Sequence, residues 1–293
     1  TKYSPLDPQQ NSASAADTAN PFNPASSTGN KAAAPESIGR YRVRRVLGDG
    51  GFGRVYLCID EVLNRQVAVK IPHASRINRP EDIEAYLQEA RILASFDHHH
   101  IVPVYDCGRT DDGLCFSVSK FIDGSDLATR LKHKPPSFAA SADLIARICD
   151  ALHYAHSRQI VHRDVKPGNI MIDQDDHPWL VDFGIALKEE DYGRIQPTMG
   201  TLPYMSPEQL RGEGHLVDGR TDIFSTGVML YQMLTGRRPF PSNRLSQDLS
   251  IEPRPPRQLD DTIPKELERI CLKALSPRVV DRFNTALDMA NDL

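Results

Sequence analysis

Large apolar side chains are nearly absent from the first 37 residues, where only Tyr3, Leu6 and Phe22 interrupt a run of Ala, Ser, Asn, Gln and Pro. Such a stretch cannot bury enough surface to offset its chain entropy, so residues 1–37 read as a disordered segment. From Ile38 the pattern changes. Alternating or continuous apolar runs at 41–47, 55–59 and 66–71 predict three strands. Pro80 followed by Glu81 and Asp82 opens a helix, and Ile83, Leu87, Ala90 and Leu93 form its apolar face. Further strand-like runs lie at 101–105 and 114–122. Beyond Pro135 and Pro136 the periodicity turns helical: Leu144, Ile145, Ile148, Leu152 and Ala155 make one stripe, and 223–234 another, stopped by Gly236. A last helix is expected at 265–275. A small β-rich part thus precedes a larger α-rich part, joined near residues 120–124. A cleft between two such parts is where small ligands usually sit.

Composition narrows the function classes. The 293 residues, 40% hydrophobic and 25% charged, are those of an ordinary globular chain. Thirty-five basic against 39 acidic residues leave no positive excess, which argues against nucleic acid as a partner. The longest nearly apolar stretch, 223–234, is short and carries Ser225, Thr226, Gly227 and Gln232, so no membrane contact is expected from this chain. No basic-then-apolar leader is visible, and a cytoplasmic location is expected. The five cysteines form no CxxC pair and read as small buried thiols in a reducing compartment. His98, His99 and His100 are adjacent and cannot all face one ion from regular structure; they read as a loop after a helix.

Candidate chemistry begins with Gly48, Gly50, Gly51 and Gly53 between two predicted strands. A dinucleotide fingerprint would lead into a helix, but Val55, Leu57 and Ile59 alternate. A Walker A loop would need Lys and Ser/Thr where Arg54 and Val55 stand. What remains is a hairpin whose bare backbone can approach phosphates, although alone it is also compatible with a merely flexible turn. Lys70 lies on an otherwise apolar strand, where an unpaired ammonium would be costly to bury. Glu81, Glu84 and Glu89 follow as possible counter-charges. The densest cluster is His162, Arg163, Asp164, Lys166, Pro167, Gly168 and Asn169, followed by Asp182, Phe183 and Gly184. Apolar runs at 160–161, 170–172 and 180–181 put these polar groups at strand ends. An Asn and an Asp are oxygen donors suited to Mg²⁺ carrying a polyphosphate, while the other Asp is free to accept a proton from a hydroxyl.

These motifs resemble those of the eukaryotic-type (Hanks-type) serine/threonine protein kinases, with the flavour of bacterial members, over roughly residues 40–293. The resemblance implies an α+β, bilobal protein-kinase-like fold: a small β-rich N-lobe at 38–121 and a larger α-helical C-lobe at 122–293. It implies transfer of the γ-phosphoryl group of ATP, with Mg²⁺, to Ser/Thr hydroxyls of protein substrates. By position, Leu47, Gly48, Gly50, Gly51, Gly53 and Val55 would cover the phosphates, and Ala68 would line the nucleotide site. Lys70 would hold the α/β-phosphates with Glu89 as its helix partner, Glu84 being the alternative. Asp164 would be the catalytic base and Lys166 would neutralise the γ-phosphate; Asn169 and Asp182 would hold the metal. Ser119 matches a small gatekeeper, which implies a roomy back pocket, and backbone groups of Lys120 and Ile122 would meet the adenine edge. Lys166 and the stretch 200–208 match the Ser/Thr-type rather than the Tyr-type pattern. Arg163 before the base implies activation by phosphorylation, with Thr198 the first candidate and Tyr192 and Thr201 weaker ones; Thr201 is rather expected to contact Asp164 and Lys166. Glu208 with Arg282, and Asp222, match structural positions.

The resemblance has departures and alternatives. Ser206 replaces the commoner Ala before Pro207, and 240–253 is short for the usual helix, which touches substrate docking. A homodimer would allow trans-autophosphorylation, and a longer, membrane-anchored parent protein is in keeping with bacterial relatives. The competing readings are a pseudokinase that binds nucleotide or partners without turnover, and a small-molecule kinase.

Overall fold

The computed structural model describes residues 35–74, 77, 79–183, 201–240 and 252–293. All of them lie in one compact unit. The residues 1–34 of the polar N-terminal segment, the candidates Tyr192 and Thr198, and most of 240–253 fall outside them.

The first layer is an antiparallel sheet of β1 (Ser37–Ile38), β2 (Tyr41–Asp49), β3 (Gly53–Asp60), β4 (Arg65–Pro72), β5 (Val104–Arg109) and β6 (Cys115–Lys120), in the order β1-β2-β3-β4-β6-β5. The two-residue period of a strand divides its faces. Val67, Val69 and Val118 enter a core with Ile38, Tyr41, Tyr56, Cys58 and Phe116. Ala68 and Lys70 alternate with them, opposite Ser119 and Ser117 of β6. Helix α1 (Pro80–Ala94) follows β4, with Pro at its start, Glu81 and Asp82 in its first turn and Arg91 in its last. Tyr86 and Leu87 of α1 pack with Cys115.

Two boundaries differ from expectation. Ser37, expected in the polar segment, already pairs with Arg42. The run 101–105 is not one strand: β5 starts at Val104, and Ile101 instead forms a parallel bridge to Leu180. Pro103 has no N–H to give a ladder, so the apolar run is divided there. His98, His99 and His100 lie in the loop between α1 and β5, as expected. All five cysteines are free thiols.

The chain leaves this sheet at Lys120 and enters a second one at Gly124, formed by β7 (Gly124–Asp126), β8 (Ile170–Asp173) and β9 (Pro178–Leu180). Around it pack α2 (Leu127–His133), α3 (Phe138–His156), α4 (Pro207–Leu210), α5 (Gly219–Thr235), α6 (Lys265–Ala274) and α7 (Ala286–Asp292). Helix α3 buries Ile145, Ile148, Leu152 and Ala155, the stripe read from its periodicity. Helix α5 is buried on nearly all sides, as befits a central helix. A Cβ on Gly227 of α5 would lie 2.8 Å from that of Ala274, so glycine lets α5 and α6 approach. Gly236 caps α5 with φ 69°, its N–H bonded to Gln232 O. No helix among the described residues is long and apolar enough to cross a membrane. This bilobal α+β architecture brings the strand-borne Lys70 against the loop that follows β9.

Candidate active site

The loop between α3 and β8 is built on one buried carboxylate. Asp222, in the first turn of α5, is fully buried and accepts the backbone N–H groups of His162 and Arg163, both at 2.8 Å. His156 Nε2 lies 2.8 Å from the same carboxylate. Burial works against its charge, yet His156 and the backbone N–H of His162 hold the Asp222 carboxyl below the usual range. The two N–H bonds account for Arg163, whose φ of 66° is unusual for a side chain with a Cβ. Gln209 of α4 ties the Arg163 carbonyl at 2.8 Å.

His162 is fully buried, and burial lowers its pKa. The neutral ring has Nε2 3.0 Å from Val181 O, and its Nδ1 accepts the Asp164 N–H at 3.3 Å. It packs on Phe183 at 4.6 Å between centroids, and Phe183 meets Phe96 edge-on at 6.1 Å. An aromatic column therefore fixes Asp182, which has φ 57°.

Asp164 itself is 5% exposed. Lys166 Nζ lies 3.0 and 2.7 Å from its two oxygens and 2.8 Å from Thr201 Oγ1. Asn169 donates its side-chain amide to Asp164 O at 2.8 Å and to Oδ2 at 3.0 Å. This leaves the Asn169 amide oxygen for a cation. Asp182 Oδ1 is 2.9 Å from Lys70 Nζ. Burial opposes ionisation of Asp182, but Lys70, with Lys166, holds it below the ordinary carboxylate range. Two hard oxygen donors with few other protein ligands suit Mg²⁺, which keeps waters and phosphate oxygens in its shell.

Above this floor lies the glycine turn. Gly50 donates its N–H to Gly53 O at 3.0 Å, and His73 Nε2 is 2.8 Å from Gly50 O. A Cβ on Gly53 would stand 2.3 Å from Ile71 O, so β3 and β4 meet there only through a bare backbone. At the far edge Ala68 is paired with Ser119. Lys120 gives its backbone N–H to Pro103 O at 3.0 Å and lays its ammonium over Trp179, 4.1 Å from the ring centroid. Ile122 is buried beside it in sequence.

Thus Lys70, Asp164, Lys166, Asn169, Asp182 and Thr201 are brought together. Glu89 is not: it is half-buried, and burial pushes its carboxyl up to about 7, with the charge of Arg163 only partly opposing. Glu84, the alternative, pairs with Arg91 at 3.2 Å. Residue reading missed His73, His156, Trp179 and Gln209, none of which stands in a motif. A cavity of about 730 Å³ bordered by Leu127, Leu131, Pro135 and Ile172 lies apart and holds none of the candidate residues.

Comparison with known proteins agrees with this geometry. The family described as "Protein kinase domain" matches residues 41–291. Serine/threonine-protein kinase PrkC of Bacillus subtilis is 36% identical over 262 residues, covering 87% of this chain and 40% of PrkC. Serine/threonine-protein kinase PknB of Mycolicibacterium smegmatis is 38% identical, with 87% and 42% covered. The chain therefore spans about two fifths of the length of these curated relatives. Among solved structures, the PknI kinase domain of Mycobacterium tuberculosis superposes with a TM-score of 0.71 at 25% identity, covering 87% of this chain and 96% of that one. Rad53 1–466 in complex with AMP-PNP gives 0.71 at 26% identity, with 86% and 64% covered.

Proposed function

Because this chain belongs to the protein kinase family, in its bacterial Hanks-type serine/threonine branch, we propose that its cleft transfers the γ-phosphoryl group of ATP to Ser and Thr hydroxyls of proteins. The observation that carries this is Asp164, nearly buried yet bridged by Lys166 to Thr201 and held by the Asn169 amide.

In this reading Asp164 accepts the proton of the acceptor hydroxyl as its oxygen bonds to the γ-phosphorus. The bond from that phosphorus to the β–γ bridging oxygen breaks, and ADP leaves with the electron pair. Lys166 offsets charge on the transferring group and Lys70 on the α/β-phosphates, so the site works by position and electrostatics. Asn169 and Asp182 would hold Mg²⁺, which when bound neutralises phosphate charge. The turn at Gly48, Gly50, Gly51 and Gly53, with Leu47 and Val55, would cover the phosphates; Ala68, Ser119, the Lys120 carbonyl and Ile122 would receive the base. Thr198 would be the self-phosphorylated switch, read by Arg163, with a homodimer as the arrangement for reaction in trans. The nucleotide analogue in the Rad53 complex supports the choice of ATP.

The test is label transfer from ATP and Mg²⁺ to a generic basic protein, beside Asp164→Asn and Thr198→Ala. Transfer by the parent chain that is lost in Asp164→Asn supports the kinase and its base. Nucleotide binding without transfer would replace it with a pseudokinase.

A further inference from the structure

His73 directly follows β4 and reaches back to the glycine turn at three points. Its backbone N–H donates to Phe52 O at 3.1 Å, its Nε2 lies 2.8 Å from Gly50 O, and the same nitrogen is 3.3 Å from Asp49 Oδ1. A carbonyl oxygen can only accept, so Nε2 carries the hydrogen of the Gly50 contact. The second Asp49 oxygen takes Arg54 of β3, 2.8 Å from Nε and 2.6 Å from Nη2. Asp49, itself held by Arg54, therefore flanks the imidazole from the end of β2.

This placement matters because Gly50, Gly51 and Gly53 make up most of the turn. Glycine opens φ/ψ space and gives up more chain entropy than any other residue when one conformation is fixed. The Gly50 N–H bond to Gly53 O, at 3.0 Å, closes the turn across its base. The bond from His73 fixes the plane of the 50–51 peptide as well. In a planar trans peptide the Gly51 N–H points opposite to the Gly50 carbonyl, so holding one aims the other. A backbone N–H of fixed direction is a donor that a phosphate oxygen can accept.

We propose that His73 is a positioning residue that latches the glycine turn: by holding the Gly50 carbonyl it aims the Gly51 N–H and keeps the turn in one conformation for the phosphates of the nucleotide. Without the latch the turn divides its time among several conformations, and affinity falls with the share of the competent one. The latch stands on geometry alone; its consequence for phosphate binding rests on the phosphoryl-transfer reading.

The test uses His73→Ala, which removes the donor, and His73→Gln, whose amide nitrogen can take the place of Nε2. Without nucleotide, the Gly50 carbonyl ¹³C signal is expected to move in His73→Ala and to return in His73→Gln. Affinity for a non-hydrolysable ATP analogue with Mg²⁺ is expected to fall about fivefold in His73→Ala, the scale set by one neutral hydrogen bond, and to recover in His73→Gln. Adenosine, which carries no phosphate, should bind the parent and both variants alike. A Gly50 signal unmoved in His73→Ala, or not restored by Gln, overturns the proposal. So does an analogue affinity that stays unchanged, or one that falls together with that for adenosine. If the Gly50 signal behaves as expected but the parent chain binds neither ligand, the latch stands and the ATP reading fails.

Discussion

Glu208 and Arg282, 74 positions apart, meet in a buried two-pronged ion pair with distances of 2.7 and 2.8 Å. Arg282 also donates to Arg220 O and Ser276 O, and Thr221 donates to Glu208, so both charges are bonded on several sides. This pair joins α4, beside the loop that carries Asp164, to the chain just before α7.

Removing one partner strands the other. Arg282→Met leaves the Glu208 carboxylate buried without its cation and is expected to cost about 3–5 kcal/mol in urea unfolding. Adding Glu208→Met should recover part of the loss. A cost below about 1 kcal/mol would mean the pair contributes no fixed structure.

Asp222 predicts a separation of binding from chemistry. Asp222→Asn turns one acceptor oxygen into a donor that faces an N–H of the 162–163 backbone or His156. The turnover number should fall on the order of a hundredfold, because Asp164 is displaced, while nucleotide affinity stays within about threefold. Its pH signature has a definite sign. The folded pKa is depressed, so the stability supplied by Asp222 is present above the unfolded value of about 4 and lost as pH falls below it. Equilibrium unfolding from pH 6 down to 3 should show a shallower acid loss in Asp222→Asn than in the parent.

Much of this site is legible in residues because its chemistry is local. Asp164, Lys166 and Asn169 fall within one six-residue stretch, and any fold that forms it brings them together. The same holds for the end of α5, where Gly236 marks the left-handed cap. The partner of Lys70 is another matter. It depends on how α1 sits on the sheet, where Tyr86 bonds Ser117, and these read as ordinary helix-core and strand residues. His156 likewise joins Asp222 only after α3 and α5 cross. The late start of β5 follows from Pro103, a breaker inside an apolar run whose period alone looked continuous.

The glycine turn separates two kinds of glycine. At Gly53 an added Cβ would meet backbone at 2.3 Å, which no side-chain rotation relieves. Gly53→Ala should destabilise by several kcal/mol, in the range of strained or overpacked sites, and raise the KM for ATP. At Gly48 nothing lies within 4 Å, so Gly48→Ala should change stability by less than about 1 kcal/mol. Thermal melts of both variants, with and without nucleotide, check the contrast; equal destabilisation would contradict it.

Glu89 sets stability against activity. Burial raises its carboxyl to about 7, with Arg163 only partly opposing. The unfolded chain loses this proton from about pH 4.5 upward, the folded chain later, so in that interval the folded state holds more protons. Stability from this group therefore falls as pH rises from about 4.5 to 7, and the full penalty is present above 7. Taken over the whole interval, the limit is about 3 kcal/mol. Glu89→Gln removes the charge and keeps the shape. It should melt higher than the parent at pH 8, match it near pH 4.5, and transfer phosphate more slowly, because the α1 carboxylate expected to take Lys70 is gone. If the melting difference does not grow with pH, the carboxyl is solvated and free, and the buried, waiting Glu89 is the wrong picture.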